Sequence, residues 1–486
     1  MQKIADLKYA SAVLQWDQET YMPAMGAKYR GQQIASLSEL SHRYFTSKEF
    51  GRLLRSLQND PSLSPVQQKN VEQSLRDYER QLKLPAALVR EMSEMVNASF
   101  HAWIDARRKN DFRTFEPVLS KLVALKIKEA EYIGYENNRY DALMQEFDQS
   151  LDVATVDKLF LHLKPALSGL LSEISQKPQP ENSFMHLSYE KNKQWDFGIQ
   201  LLKQMHFNFE TGRQDISEHP FTTNFSAQDV RVTTRIDEND LANMVWSCIH
   251  EGGHALYEQG LPADEYGLPS GEYCSLSIHE SQSRLWENNV GRSRSFWKFQ
   301  FPHLQKVFPE NLGNISPEAF YKAFNMVQPS LIRTEADELS YHFHVMIRYE
   351  IEKQIINEEI KVSDVPAIWN EQYRDVLGIV PSDDLHGCLQ DVHWSHGSFG
   401  YFATYSIGSL YAAQFFHKIQ ENNPALSDQL SQGDSSPVWN WLQKNIYPFG
   451  KTFNSEELCE KATGEKLNSR YFTNYARKKF GEIYNL

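Results

Sequence analysis

The segment His250-Glu251-Gly252-Gly253-His254 has the residue types and spacing with the clearest chemical meaning in the chain. Residues four apart on a helix lie one turn above each other on the same face, so both imidazoles can reach one metal ion. The residue after the first histidine is then placed to touch a water at that metal, not the metal itself. This is the H-E-x-x-H arrangement of a zinc site, with His250 and His254 as metal ligands and Glu251 as general base. A pair of surface histidines on an amphipathic helix fits less well, because Met244, Val245, Trp246 and Ile249 just before them are apolar. Gly252 and Gly253 also weaken a helix by about 1 kcal/mol each relative to Ala, which points to close packing or binding there.

A catalytic zinc needs a third protein ligand and an open position. Metzincins place Gly and His where this chain has Tyr257 and Gly260, which excludes that class. A Glu from a second helix is the alternative. Glu272, His279, Glu280 and Glu287 all compete for that role, and Glu258 is disfavoured because it continues the first helix beyond the metal. Spacing alone does not choose among them.

Helices must hold these residues. Leu241 to Gln259 has helix periodicity and stops at Gly260 and Pro262. Leu276 to Val290, Ile332 to Ile356 and Tyr401 to Gln420 read as further helices, as does Val153 to Ser175. The Leu63 to Ala142 stretch is rich in helix formers, with Pro85 and Pro117 where helices would begin. Gln176 to Ser188 reads as a loop. Asp229 to Asp237 alternates apolar and polar residues and is the clearest strand.

The composition narrows the class. The chain has 486 residues, enough to bury a large core without disulfides. Fifty basic residues against 63 acidic ones give a net charge of −13, unsuited to general nucleic-acid binding. The four cysteines, Cys248, Cys274, Cys388 and Cys459, form no C-x-x-C pair, which favours a reduced, cytoplasmic setting. No stretch reaches the roughly 18 apolar residues of a membrane span. No repeat or clean composition break divides the chain, so one domain over 1–486 is expected, with a helical part at 1–210 and the catalytic motifs at 211–486.

Ile278-His279-Glu280-Ser281-Gln282-Ser283-Arg284 resembles the H-E-S segment of the carboxypeptidase Taq family. Further blocks resemble that family in the same order: His219-Pro220-Phe221, Asp229 to Thr233, Ile332 to Tyr341, and Gly387 to Trp394. With the zinc motif they span residues 219 to 394. Leu14 to Thr20 resembles the family's early helix, and the N-terminal half carries few other diagnostic residues.

The resemblance implies a mostly α fold: a large, helical, two-lobed zincin with a deep active-site cleft and a small antiparallel sheet near the zinc helix. It implies a homodimer, peptide substrates with a free C-terminus, and a Zn²⁺ site that Co²⁺ can also fill. It makes Glu280 the third metal ligand and Glu287 a supporting or surface residue. The expected reaction is hydrolysis of the C-terminal peptide bond, releasing single amino acids with broad specificity. Glu251 takes a proton from the attacking water and passes it to the leaving amine. By analogy with the thimet oligopeptidase and angiotensin-converting enzyme groups, His393 and Tyr405 are candidates for stabilising the oxyanion.

A free substrate carboxylate calls for a bidentate Arg, and Arg348 and Arg231 are the candidates. The ordinary alternatives are an i,i+4 pair of Arg348 with Glu352, and pairing of Arg231 with Asp229 or Asp237. His342 and His344 cannot both face the metal from one helix and read as structural, and Cys248 points away from the metal face. Two rival readings stay open: an endopeptidase or dipeptidyl carboxypeptidase on the same zinc helix, and a silent peptide-binding protein with a structural metal.

Overall fold

Twenty-one α-helices, short 3₁₀ turns, one π-helix and three short strands make up the regular structure, so the mostly α expectation holds. The computed structural model describes residues 1–486. Two compact units emerge, each assembled from three stretches of chain. One comprises Met1–Glu79, Pro180–Phe324 and Tyr411–Leu467; the other comprises Arg80–Gln179, Asn325–Leu410 and Asn468–Leu486. No helix is long and apolar enough to cross a membrane.

The first unit holds the H-E-x-x-H segment. Its N-terminal helix α1 (Gln2–Thr20) buries Ala5, Tyr9 and Trp16 against Phe225. Helix α2 (Lys191–Gln204) precedes a three-stranded sheet of β1 (Gly212–Ile216), β2 (Thr222–Ser226) and β3 (Asp229–Thr234). The strand order is β1-β3-β2. Strand β3 inserts between the other two, parallel to β1 and antiparallel to β2, so the sheet is mixed where an antiparallel one was expected. Val230 and Val232 turn inward, as their alternation predicts. The strand ends at Thr234, before the expected Asp237, because Asp237 bridges to Asp240 and begins the turn into the next helix.

Asp240 caps that helix, α3 (Leu241–Gly260), by accepting from the backbone N–H of Ala242. Met244, Val245, Cys248 and Ile249 anchor it in the core. Ser275 caps α4 (Leu276–Arg284) by accepting from Ile278 N–H. The expected single helix to Val290 changes winding after Arg284 and continues as a π-helix over Leu285–Gly291. Such insertions recur at functional sites.

In the second unit the central helix is α5 (Tyr341–Ile356), which is buried nearly all round, as a core helix must be. It starts nine residues later than the expected Ile332. Asp337 Oδ1 accepts from the backbone N–H groups of Leu339 and Ser340, and Oδ2 accepts from Ser340 Oγ. This local turn competes with helix formation and leaves only a 3₁₀ turn over Arg333–Glu335 upstream. Helix α6 (Ala403–Asn422), of which residues up to Leu410 belong to this unit and the rest to the first, matches its expected span to within two residues at each end.

Candidate active site

Helix α3 presents His250 and His254 toward Glu280 of α4. His250 Nε2 lies 3.8 Å from Glu280 Oε2, and His254 Nε2 lies 3.4 Å from the same oxygen. One donor atom from each of these three residues falls within 4.8 Å of the other two. Donors about 2.1 Å from a tetrahedral ion stand roughly 3.4 Å apart, so these side chains fit a divalent metal with room for a further ligand.

Gly252 and Gly253 explain the close approach. A Cβ on Gly253 would lie 2.6 Å from Gln282 O and 2.7 Å from Ser283 Cα, both backbone atoms of α4. A Cβ on Gly252 would lie 2.7 Å from Leu202 Cδ2 of α2. The two glycines therefore let helices pack on both sides of the histidine pair.

Each donor is held by a neighbour. His250 Nδ1 pairs with Glu287 Oε2 at 2.8 Å, which leaves Nε2 to face the site. Arg284 Nε donates to Glu280 Oε1 at 2.6 Å, while Oε2 accepts from Ser283 Oγ at 3.2 Å and points at the histidines, and Arg284 also contacts Glu287 at 3.1 Å. Arg292 adds a second cation on Glu287 at 3.2 Å. Burial opposes charge on Glu280 and Glu287, but the arginines and His250 outweigh it and hold both carboxyls well below their ordinary range. Burial also opposes charge on His250, yet Glu280 and Glu287 push its pKa up. Burial and the neighbouring His279 lower His254 to about 3.

Glu251 lies on the same helix and is buried. Thr222 of β2 donates from Oγ1 to Glu251 Oε2 at 2.6 Å. Desolvation raises the Glu251 carboxyl, against the pull of His250 and Thr222. The other candidates for third ligand have different partners. Glu272 pairs with Lys8, Glu287 supports His250, and His279 pairs with Glu258. Cys248 faces Gln214 and Met244, away from the metal face.

Arg231 forms a bidentate pair with Asp229, both bonds at 3.0 Å, and its guanidinium lies over Trp16 and Phe225. Its side chain is 18% exposed.

The remaining sequence candidates cluster in the second unit. His393 Nε2 lies 3.2 Å from Tyr405 OH. Arg333, missed in the sequence, holds Asp391 through both carboxylate oxygens, donates to Tyr341 OH at 2.9 Å and stacks on Tyr405. Burial, reinforced by Arg333 and Arg348 against Asp391, lowers His393 to about 3 and keeps it neutral. Arg348 is 0% exposed. It pairs with Glu352 at 3.4 Å and Asp391 at 3.5 Å, and lies 3.8 Å over the Trp394 ring. This is the intrahelical pairing that its spacing also allowed, and in this conformation it leaves no surface for a substrate carboxylate. His342 and His344 bond Ser406 and Tyr373, consistent with structural roles.

A mostly helical chain with an H-E-x-x-H helix and a Glu from a second helix at its histidines has the features of a metallopeptidase. The chain matches the Carboxypeptidase Taq (M32) metallopeptidase family over residues 1–480 and belongs to it. Carboxypeptidase 1 of Bacillus subtilis (strain 168) is 37% identical over 488 residues, covering 100% of this chain and 97% of that protein. A solved chain described as CHT is 56% identical with a TM-score of 0.97, covering 99% of this chain and 97% of that one. The M32 carboxypeptidase of Deinococcus radiodurans R1 is 38% identical with a TM-score of 0.98, covering 100% and 98%. The chain is thus a metallocarboxypeptidase acting on peptides.

Proposed function

We propose that the chain is a zinc carboxypeptidase that releases single amino acids from the free C-terminus of peptides, with broad tolerance for the residue removed. The 1–486 span acts as one peptidase domain. The convergence of His250 Nε2 and His254 Nε2 on Glu280 Oε2 carries this reading. His250, His254 and Glu280 hold the ion. When bound, Zn²⁺ or Co²⁺ supplies Lewis acidity toward a water and toward the scissile carbonyl.

Glu251 accepts the proton of the attacking water at its carboxylate and later passes it to the leaving amine. Burial, which raises its pKa, suits it to accept and return that proton. Thr222 fixes which carboxylate oxygen is committed to a hydrogen bond and which is left for the water. His393 and Tyr405 serve the developing oxyanion as hydrogen-bond donors. The Tyr405 hydroxyl and a neutral imidazole can both donate without bringing a fixed charge. Of the two arginines expected at the substrate carboxylate, Arg231 keeps partial exposure and we retain it there. Arg348 we assign to holding Asp391 and Glu352 in the core.

The family resemblance supports a homodimer. The four buried cysteines suit a reducing cytoplasm. Light scattering checks the first point.

The test uses metal-stripped protein and a short peptide, with products followed by mass spectrometry. Loss of one C-terminal residue at a time on adding Zn²⁺ or Co²⁺ is expected. An amidated peptide should be cut far more slowly. Equal cleavage of free and amidated peptides would move the protein to the endopeptidase reading.

A further inference from the structure

The two histidines facing Glu280 are supported differently. Histidines that bind metal usually donate their second ring N–H to a carboxylate or carbonyl. His250 does so through Glu287. His254 does not: its Nδ1 is buried and has no hydrogen-bond partner. Its ring instead lies against His279, with centroids 4.4 Å apart and planes 21° apart.

His279 is itself fixed on several sides. Its Nε2 pairs with Glu258 Oε1 at 2.8 Å. Glu258 Oε2 accepts from Asn224 Nδ2 of β2 at 2.7 Å. Tyr273 and Tyr257 close around the ring, with centroids 4.8 and 5.8 Å away. Glu258 is 3% exposed, so this chain of contacts is shielded from water. A buried, charge-assisted hydrogen bond fixes a ring more firmly than a surface contact does.

We infer that His279 is a positioning residue: held by Glu258 and Asn224, it sets the plane of His254 by stacking, in place of the missing hydrogen bond at Nδ1. The inference rests on His254 being a metal ligand, as proposed above. The stack restricts rotation about the His254 side chain and keeps Nε2 aimed at Glu280. The two ligands on α3 are thus oriented by different residues, His250 by Glu287 of the π-helix and His254 by His279 at the start of α4.

The experiment measures Zn²⁺ affinity by competition with a chromophoric chelator, with the visible spectrum of the Co²⁺ form as a second readout. His254→Ala comes first. Loss of stoichiometric binding establishes the ligand, and retained parental affinity would overturn the ligand assignment itself. Given that ligand, His279→Ala should bind Zn²⁺ roughly 10- to 100-fold more weakly and shift the Co²⁺ bands. His279→Phe keeps a flat ring against His254 and should recover most of the affinity. Glu258→Gln, at the far end of the chain of contacts, should fall in between and tests the same point if His279→Ala does not fold. Parental affinity and spectrum in His279→Ala, or in Glu258→Gln where His279→Ala does not fold, would overturn the inference. So would a His279→Phe protein as weak as His279→Ala.

Discussion

Gly253 gives the sharpest test of how the metal centre is assembled. Replacing it with Ala puts a Cβ 2.6 Å from Gln282 O, and reaching an ordinary contact of 3.4 Å requires α3 and α4 to part by about 0.8 Å. The obstructing atoms are backbone, so no side chain can rotate out of the way. Glu280 sits two residues before Gln282 on the same helix and moves with it. Metal sites tolerate about 0.2 Å in ligand distance, so a displacement several times larger should weaken Zn²⁺ binding by at least about tenfold.

Stability responds less. Ala gains about 1 kcal/mol of helix propensity over Gly, while overpacking costs about 1–3 kcal/mol, so the metal-free protein should lose between about zero and 2 kcal/mol. Gly252→Ala is the internal control. Its Cβ meets the ends of the Leu202 and Met205 side chains, which can shift, so its affinity should stay near the parent value. Chelator competition measures affinity in both variants, and thermal unfolding of metal-free protein measures stability. If Gly253→Ala binds Zn²⁺ as tightly as the parent, or if Gly252→Ala is the weaker of the two, the argument from backbone contact fails.

Glu251→Gln should keep the metal and lose about 10²- to 10⁴-fold in kcat, read from steady-state kinetics beside a metal assay. Unchanged turnover would remove Glu251 as the base. Arg348→Met should cost about 3–5 kcal/mol of stability by leaving buried Glu352 without its cation, Asp391 keeping Arg333, while KM for peptides in the folded fraction stays near the parent value. A raised KM with unchanged stability would return Arg348 to the substrate. Acid should destabilise the metal-free protein in a defined window. Burial lowers His344 to about 3, from an ordinary value of 6.5. The unfolded chain therefore binds more protons between those values, and stability is complete above about 6.5 and falls as pH drops toward 3. Melting curves from pH 7 to 4 should show that decline, and His344→Gln should make it shallower without abolishing it, because burial lowers His254 and His393 to about 3 as well.

Much of the site was legible because it obeys local periods. The i,i+4 spacing of His250 and His254 needs only a helix, and the caps at Asp240 and Ser275 are readable residue types. The cost of two adjacent glycines in a core helix correctly pointed to close packing, which Gln282 and Leu202 supply. Arg284 was also within reach, since it stands at i+4 from Glu280. What stayed hidden depends on contacts between distant segments. Thr222 lies 29 residues from Glu251, and no pattern in β2 reveals that its hydroxyl reaches the carboxylate. The parallel pairing of β1 with β3 depends on β3 inserting between strands that precede it, which alternation cannot encode. Arg348 shows the limit of helix-face reasoning. Its spacing allowed both a substrate contact and a pair with Glu352, and the pair is what the buried side chain forms here.

The support around the histidines also explains how three donors can be held close together by the protein alone. Two buried carboxylates, Glu280 and Glu287, face two guanidiniums, Arg284 and Arg292, so their charges cancel among themselves. Without the arginines, two anions would share a dry site, and at least one would take up a proton. A protonated Glu280 could still stand near the histidines, but it would be a poor donor to a cation. The arginine pair therefore keeps Glu280 ionised while occupying only its Oε1, and leaves Oε2 as the single oxygen directed at His250 and His254. Strand β2 fixes the acidic residues of α3 in a similar way. Thr222 and Asn224, two apart on one strand face, contact Glu251 and Glu258, two turns apart on one helix face. A period of two in the strand thus meets a period of 3.6 in the helix, and both acidic residues of α3 are fixed by one short strand.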